Sequence, residues 1–137
     1  MSRFEDYLTT RKQFQKIGLE LYPGCVISGY TGEGLVRHHL LGQRAFPMFK
    51  DWQPIAITIH STFHHPKVNG GGHLTKTQSY ELAQILGLDE LVATCVRLCH
   101  NLNEQNKQCL VDLYELSRFH GIDRRRMCRF ERYLNCE

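Results

Sequence analysis

Apolar residues near the start of the chain recur at helical spacing. Phe4, Tyr7, Leu8, Phe14, Ile17 and Leu21 advance in the three- and four-residue steps that keep side chains on one helix face. Ser2 and Glu5 stand three apart just before them, the spacing of a capping box, so the pattern predicts a helix from about Ser2 to Leu21. Pro23 and Gly24 stop it. From Cys25 onward the texture changes. The stretch "CVISGYTGEGLVRHHLL" sets two short apolar runs about a glycine-rich turn at Gly29 to Gly34, which predicts a β-hairpin ending in the double histidine His38-His39. "GQRAFPMFKDWQP" reads as an irregular loop with two prolines, and the β-branched run "IAITI" as another short strand. His60 to His65 fit one helical turn ahead of Pro66, and "KVNGGGH" reads as loop.

The remainder is helical in pattern. Thr75 and Gln78 form a second capping-box pair, opening a helix to Leu86 that Gly87 stops. Asp89 opens another, with Leu91, Cys95, Leu98, Cys99 and Leu102 on one face. A third helix is predicted from about Glu104 to Phe119, ended by Gly121, and a fourth from Asp123 to about Leu134. The fold class expected is α+β in a single domain. Residues 1–24 would form an N-terminal helix, 25–75 the hairpin and short helical turn, and 76–137 a helical bundle.

Composition narrows the setting. With 137 residues, 42% hydrophobic and 23% charged, the chain has the make-up of a folded soluble protein. It has no apolar run of membrane-spanning length, and its polar start lacks a signal-peptide pattern, so a soluble, cytoplasmic protein without a membrane partner is expected. The six cysteines are then expected to be reduced; Cys95-x-x-x-Cys99-His100 comes nearest to a zinc pattern, but its helical spacing suits core packing better. The net charge of +3 is modest, yet it is unevenly spread. Arg118, Arg124, Arg125, Arg126, Arg129 and Arg132 crowd the last third, against Glu115, Asp123 and Glu131.

That arginine-rich segment, "LYELSRFHGIDRRRMCRFER", fits a helix-turn-helix. Ser117 lets two helices approach, Gly121 makes the turn, and Ile122, Met127 and Phe130 seat the second helix, leaving Arg124, Arg125, Arg126, Arg129 and Arg132 outward toward a nucleic acid. Arg37, beside the double histidine, joins them as a candidate nucleic-acid contact.

Five of the eight histidines fall in two clusters, His38-His39 and His60, His64, His65. On a helical turn His60 and His64 present two imidazoles to one point. Adjacent strand residues point to opposite sides, so His38 and His39 cannot both serve that point: one can bind and the other act. A single divalent ion is the expected focus, with Zn²⁺ or Ni²⁺ matching imidazole ligands and Mg²⁺ or Mn²⁺ the other candidates.

The order of these residues resembles the HNH, or ββα-metal, nucleases. The double histidine, a loop and then His-x-x-x-His is similar to the nuclease colicins; the wider stretch "CVISGYTGEGLVRHHLLG…KDWQPIAITIHSTFHH…GGGH" is similar to small phage and prophage HNH proteins. The resemblance implies that His38, His60 and His64 bind the metal and His39 is the general base; Pro66, a departure from the family, shortens the metal turn, which lets His65 or His73 replace His64. The resemblance also implies phosphodiester hydrolysis, with DNA ahead of RNA as substrate. Ser28 stands where relatives have the second cysteine of C-x-x-C, so no zinc knuckle is expected. Asp51 or Gln53 lies where a residue orienting His39 belongs. A chain that keeps this fold as an inactive binding module or inhibitor of a nucleoprotein is the alternative, and a protein partner or homodimer is compatible with either.

Overall fold

The structure, a computed structural model, describes residues 2–61, 74–118 and 122–135. It is mixed α+β. The single N-terminal helix expected from Ser2 is broken: Phe4–Tyr7 makes a 3-10 turn, Leu8 is extended and bridges to Trp52, and Arg11–Gln13 makes a second turn leading into α1, Phe14–Leu21. Tertiary contacts cause the break. Phe4 stacks on Trp52 with ring centroids 4.7 Å apart, and Trp52 Nε1 donates to the Phe4 carbonyl at 3.2 Å, so the first turn is anchored to Trp52 at two points and the chain runs on beside Trp52 as an extended Leu8. The first turn closes through Asp6, which accepts from the Arg3 amide at 2.9 Å, and not through Glu5; Thr10 then caps anew by accepting from the Gln13 amide at 3.3 Å.

The hairpin partner also differs from expectation. β1, Leu35–His39, pairs antiparallel with β2, Ala56–His60, in the register Leu35↔His60, Arg37↔Thr58, His38↔Ile57 and His39↔Ala56. The Cys25 to Ser28 run, expected to be the first strand, is a tight turn closed by the Gly29 amide on the Cys25 carbonyl at 2.8 Å, with Gly29 at φ +78°. It bonds to β2 through the Val26 amide and the Thr58 carbonyl at 2.9 Å.

One side of this two-stranded sheet is tied to α1. The buried Arg37 guanidinium donates to Thr58 Oγ1 at 3.0 Å, to the Gln53 carbonyl and Oε1 at 2.9 Å each, and to the Ala56 carbonyl at 3.1 Å. Gln53, itself fully buried, donates onward to the Phe14 carbonyl at 2.9 Å, and Thr58 Oγ1 donates to the Tyr22 carbonyl at 2.7 Å. Neighbouring strand positions carry Ile57 and Ile59 into the core.

Among the described residues four further helices follow: α2 (Lys76–Ile85), α3 (Asp89–Leu98), α4 (Glu104–Arg118) and α5 (Arg124–Asn135). Local chemistry sets their ends. Thr75 and Gln78 exchange reciprocal cap bonds at 3.1 and 2.8 Å, Gly87 leaves α2 at φ +76°, and Asp123 Oδ1 accepts from the amides of Arg125 and Arg126 at 3.1 Å. Leu82, Leu91, Leu110, Met127 and Leu134, one or more from each helix, join Trp52, Ile55 and Ile59 in one buried cluster. Cys95 is part of it, and burial pushes its thiol up to about 12, so it packs as an apolar residue. Among the described residues no helix is long and apolar enough to cross a membrane.

Helix α1 meets the sheet network closely at Gly18. A Cβ there would stand 2.6 Å from Arg37 Nε and 2.6 Å from Gln53 Oε1, two side chains that are pinned by their other bonds. Gly18→Ala is therefore expected to lower the unfolding free energy by about 1–2 kcal/mol in urea titration, although alanine is the better helix former by about 1 kcal/mol. A stabilised Gly18→Ala variant would show that α1 does not sit this close to the sheet.

Candidate functional site

His39 ends β1, and its ring lies flat against Phe14 at the start of α1, with centroids 4.8 Å apart and 14° between planes. Nε2 is 2.9 Å from the Lys50 carbonyl, an oxygen that only accepts, so Nε2 carries the proton and Nδ1 keeps its lone pair. Burial is the main influence on the ring and depresses its pKa. The Lys50 carbonyl and Asp51 push the other way, while Arg37 and Arg11 add to the depression. His39 is thus a neutral imidazole near pH 7. It lines a concavity of about 530 Å³ together with Arg37, His38, Gly42, Gln43, Arg44 and Ala45.

His38 points to the other face of the sheet. It is buried, and Nε2 lies 2.8 Å from Ser79 Oγ on α2, so the pair ties the strand to the first of the later helices. The division between the two histidines follows from strand alternation, as expected from the sequence.

The proposed convergence of His38 with His60 is not what the register produces. His60 lies opposite Leu35, three positions from His38, which is roughly 10 Å along the strand and on the opposite face. Its amide donates to Cys25 Sγ at 3.4 Å, and its ring meets Tyr30 edge to face at 5.1 Å. Gly34 makes room for it: a Cβ there would stand 2.9 Å from His60 Nε2. His38 and His60 therefore do not fit one ion, and no reaction step is assigned to a metal. His64, His65 and His73 lie outside the described residues. Among the described residues, no three His, Cys, Asp or Glu side chains gather as a metal would require.

Two other expectations change. Arg37, a candidate nucleic-acid contact, is 6% exposed and holds the sheet together from inside, so a polymer backbone does not reach it. Asp51, a candidate to orient His39, is half-buried with Oδ1 lacking a hydrogen-bond partner among the described residues; the orienting bond comes from the Lys50 carbonyl instead. Gln53, the other candidate, is occupied by Arg37 and Phe14. Lys50 and Phe14 went unnoticed in the sequence. A backbone carbonyl has no sequence signature, and Phe14 read as a core position.

The arginines of α5 lie on its outer side, since Met127, Phe130 and Leu134 are turned into the core. Arg124, Arg125, Arg129 and Arg132 surround a second concavity of about 530 Å³ with Cys128. Arg126 and Arg129 also face Thr75, Thr77, Gln78 and Glu81 at the start of α2, across a cleft of about 310 Å³. Helix α2 thus carries the arginine cleft at its N-terminal end and the Ser79 contact to His38 one turn later.

The depressed His39 pKa makes stability depend on pH. The neutral ring is favoured on folding, so its contribution is whole above the unfolded value of about 6.5 and is lost as pH falls from there through the lower folded value. Thermal midpoints of the wild type should fall as pH drops from 7 to 5, and His39→Gln should flatten that slope. An equal slope in both proteins would mean that His39 is not held neutral.

The chain matches no protein-family model, no curated protein and no solved structure.

Proposed function

We propose that this chain is a nuclease that hydrolyses phosphodiester bonds in nucleic acid, DNA ahead of RNA, with His39 as general base and the α5 arginines holding the polyanion. One observation carries the reading: His39 is kept neutral by burial, its tautomer is fixed by the Lys50 carbonyl, and it stands at a concavity. A neutral imidazole with a lone pair on Nδ1 takes a proton from water at pH 7, a contribution typically of about 10²- to 10⁴-fold in rate. Arginine side chains bind backbone phosphates without reading sequence, and α2 links their cleft to the histidine-bearing strand.

The likeness to HNH nucleases belongs to the same proposal. What supports it is an antiparallel strand pair with the double histidine closing the first strand, and a loop between the strands that supplies the His39 contact. A helix-turn-helix reading of α4 and α5 is supported by the buried Ser117, Met127 and Phe130. The divalent ion expected from the resemblance rests on His38, His60 and His64, with His65 or His73 in place of His64; His38 and His60 do not fit one ion and positions 64, 65 and 73 lie outside the described residues, so no ligand set is assigned. One observation favours the alternative of an inactive binding module: His38 Nε2 is already engaged by Ser79.

The test is incubation with plasmid and single-stranded DNA across Mg²⁺, Mn²⁺, Ni²⁺ and Zn²⁺, beside a chelator. His39→Ala should fold and bind DNA but cleave about 10²-fold more slowly or worse. Arg125→Ala/Arg129→Ala should weaken DNA binding and reduce the salt slope by about 2. DNA binding without cleavage by the wild type under every condition would leave the binding module in place of the nuclease. No binding at all would remove both.

A further inference from the structure

Arg37 raises a question that the histidine site does not answer. Its guanidinium is buried, and every hydrogen-bond acceptor it meets is neutral: two carbonyls, an amide oxygen and a hydroxyl. The Tyr22 ring, 4.6 Å from the guanidinium carbon, adds the negative face of its π-system but no charge. Burial lowers the Arg37 pKa only to about 10, so the group stays cationic at neutral pH. Among the described residues no carboxylate pairs with it; a cation buried in this way is costly, and it would attract an anion strongly because little solvent screens it there.

That cation lies in the wall of a cavity of about 310 Å³ between the sheet and the later helices. A second cation, Arg118 at the end of α4, lines the same space and sits 5.6 Å over the Tyr114 ring. The Tyr22 and Tyr114 hydroxyls, which line the same space, bond to each other at 2.6 Å; one spends its proton on the other, and the pair keeps one O–H to donate to a ligand. The rest of the wall is largely aliphatic, with Val26, Ile57, Leu86, Leu88 and Ile122, and no Asp or Glu is among the described lining residues. Apolar walls with a few convergent polar groups are the make-up of a small-molecule site, and the volume suits a small ligand.

We propose that this cavity binds a small amphipathic carboxylate, its anionic head held by Arg37, Arg118 and the free O–H of the tyrosine pair, its aliphatic or aromatic body against Val26, Leu86 and Leu88. A single negative charge suits the lining better than a phosphate dianion. Arg37 already spends donors on Thr58, Gln53 and Ala56, and the tyrosine pair has one O–H left to give. The site is separate from the His39 concavity in all its lining except Arg37 and stands whether or not the chain cuts nucleic acid.

Isothermal titration of the full chain with octanoate tests it, with octan-1-ol and octylammonium as matched probes lacking the negative charge. Saturable 1:1 octanoate binding is expected, about tenfold or more tighter than either control. The exposed Arg118→Leu variant should weaken octanoate about tenfold, and Leu88→Trp, which fills the cavity, should abolish binding while the circular dichroism spectrum stays that of the wild type. If Leu88→Trp does not fold, Val26→Trp makes the same test. Absence of saturable octanoate binding, equal affinity for octan-1-ol, or unchanged octanoate affinity in Arg118→Leu would overturn the proposal.

Discussion

The pairing register of β1 and β2 is the constraint on which the rest of the molecule depends. Because side chains alternate along a strand, the alignment Arg37↔Thr58 decides at once which groups face α1 and which face the later helices. Arg37 and His39 go to α1, where Gln53, Tyr22 and Phe14 receive them; His38 goes to Ser79 on α2. A slip of one residue would bury the wrong histidine and turn the guanidinium away from the carbonyls that make its burial tolerable.

Burying polar groups is costly unless they are bonded, and this protein concentrates them at the sheet. Arg37, Gln53, Thr58, His38 and Ser79 are all buried, and each has partners in the loop, in α1 or in α2. Such a network specifies one arrangement of strand, loop and helix more sharply than aliphatic packing alone, since each misalignment strands a donor or an acceptor. The same network fixes the chemistry: the loop that gives its Gln53 carbonyl to Arg37 also gives its Lys50 carbonyl to His39.

Local features were legible in the sequence and non-local ones were not. Thr75 with Gln78, Gly87 and Asp123 announce helix ends within a few residues, and α2 and α5 begin where those signals stand. The separation of His38 from His39 was also readable, because alternation is a property of any strand. The partner of β1 was not, since glycine-rich turns suggested the neighbouring run while the true partner lies beyond a long loop. Without that partner, the position of His60 could not be known, and the shared ion with His38 was drawn across a sheet that separates them. Arg37 looked like a surface cation because nothing local reveals that Gln53, Thr58 and Tyr22 surround it. The break after Tyr7 escaped for the same reason, as it rests on Trp52, more than forty residues away.

The central claim is that adjacent histidines are divided between two faces, one ring held neutral with its proton on Nε2, the other engaged at Ser79 and apart from His60. Imidazole ¹⁵N spectroscopy at pH 7, with Zn²⁺ added stepwise, reads this directly. The account predicts a neutral His39 protonated at Nε2, and no joint response of His38 and His60 to the ion. A protonated His39, or coordination shifts appearing together on His38 and His60 at one equivalent of Zn²⁺, would contradict it.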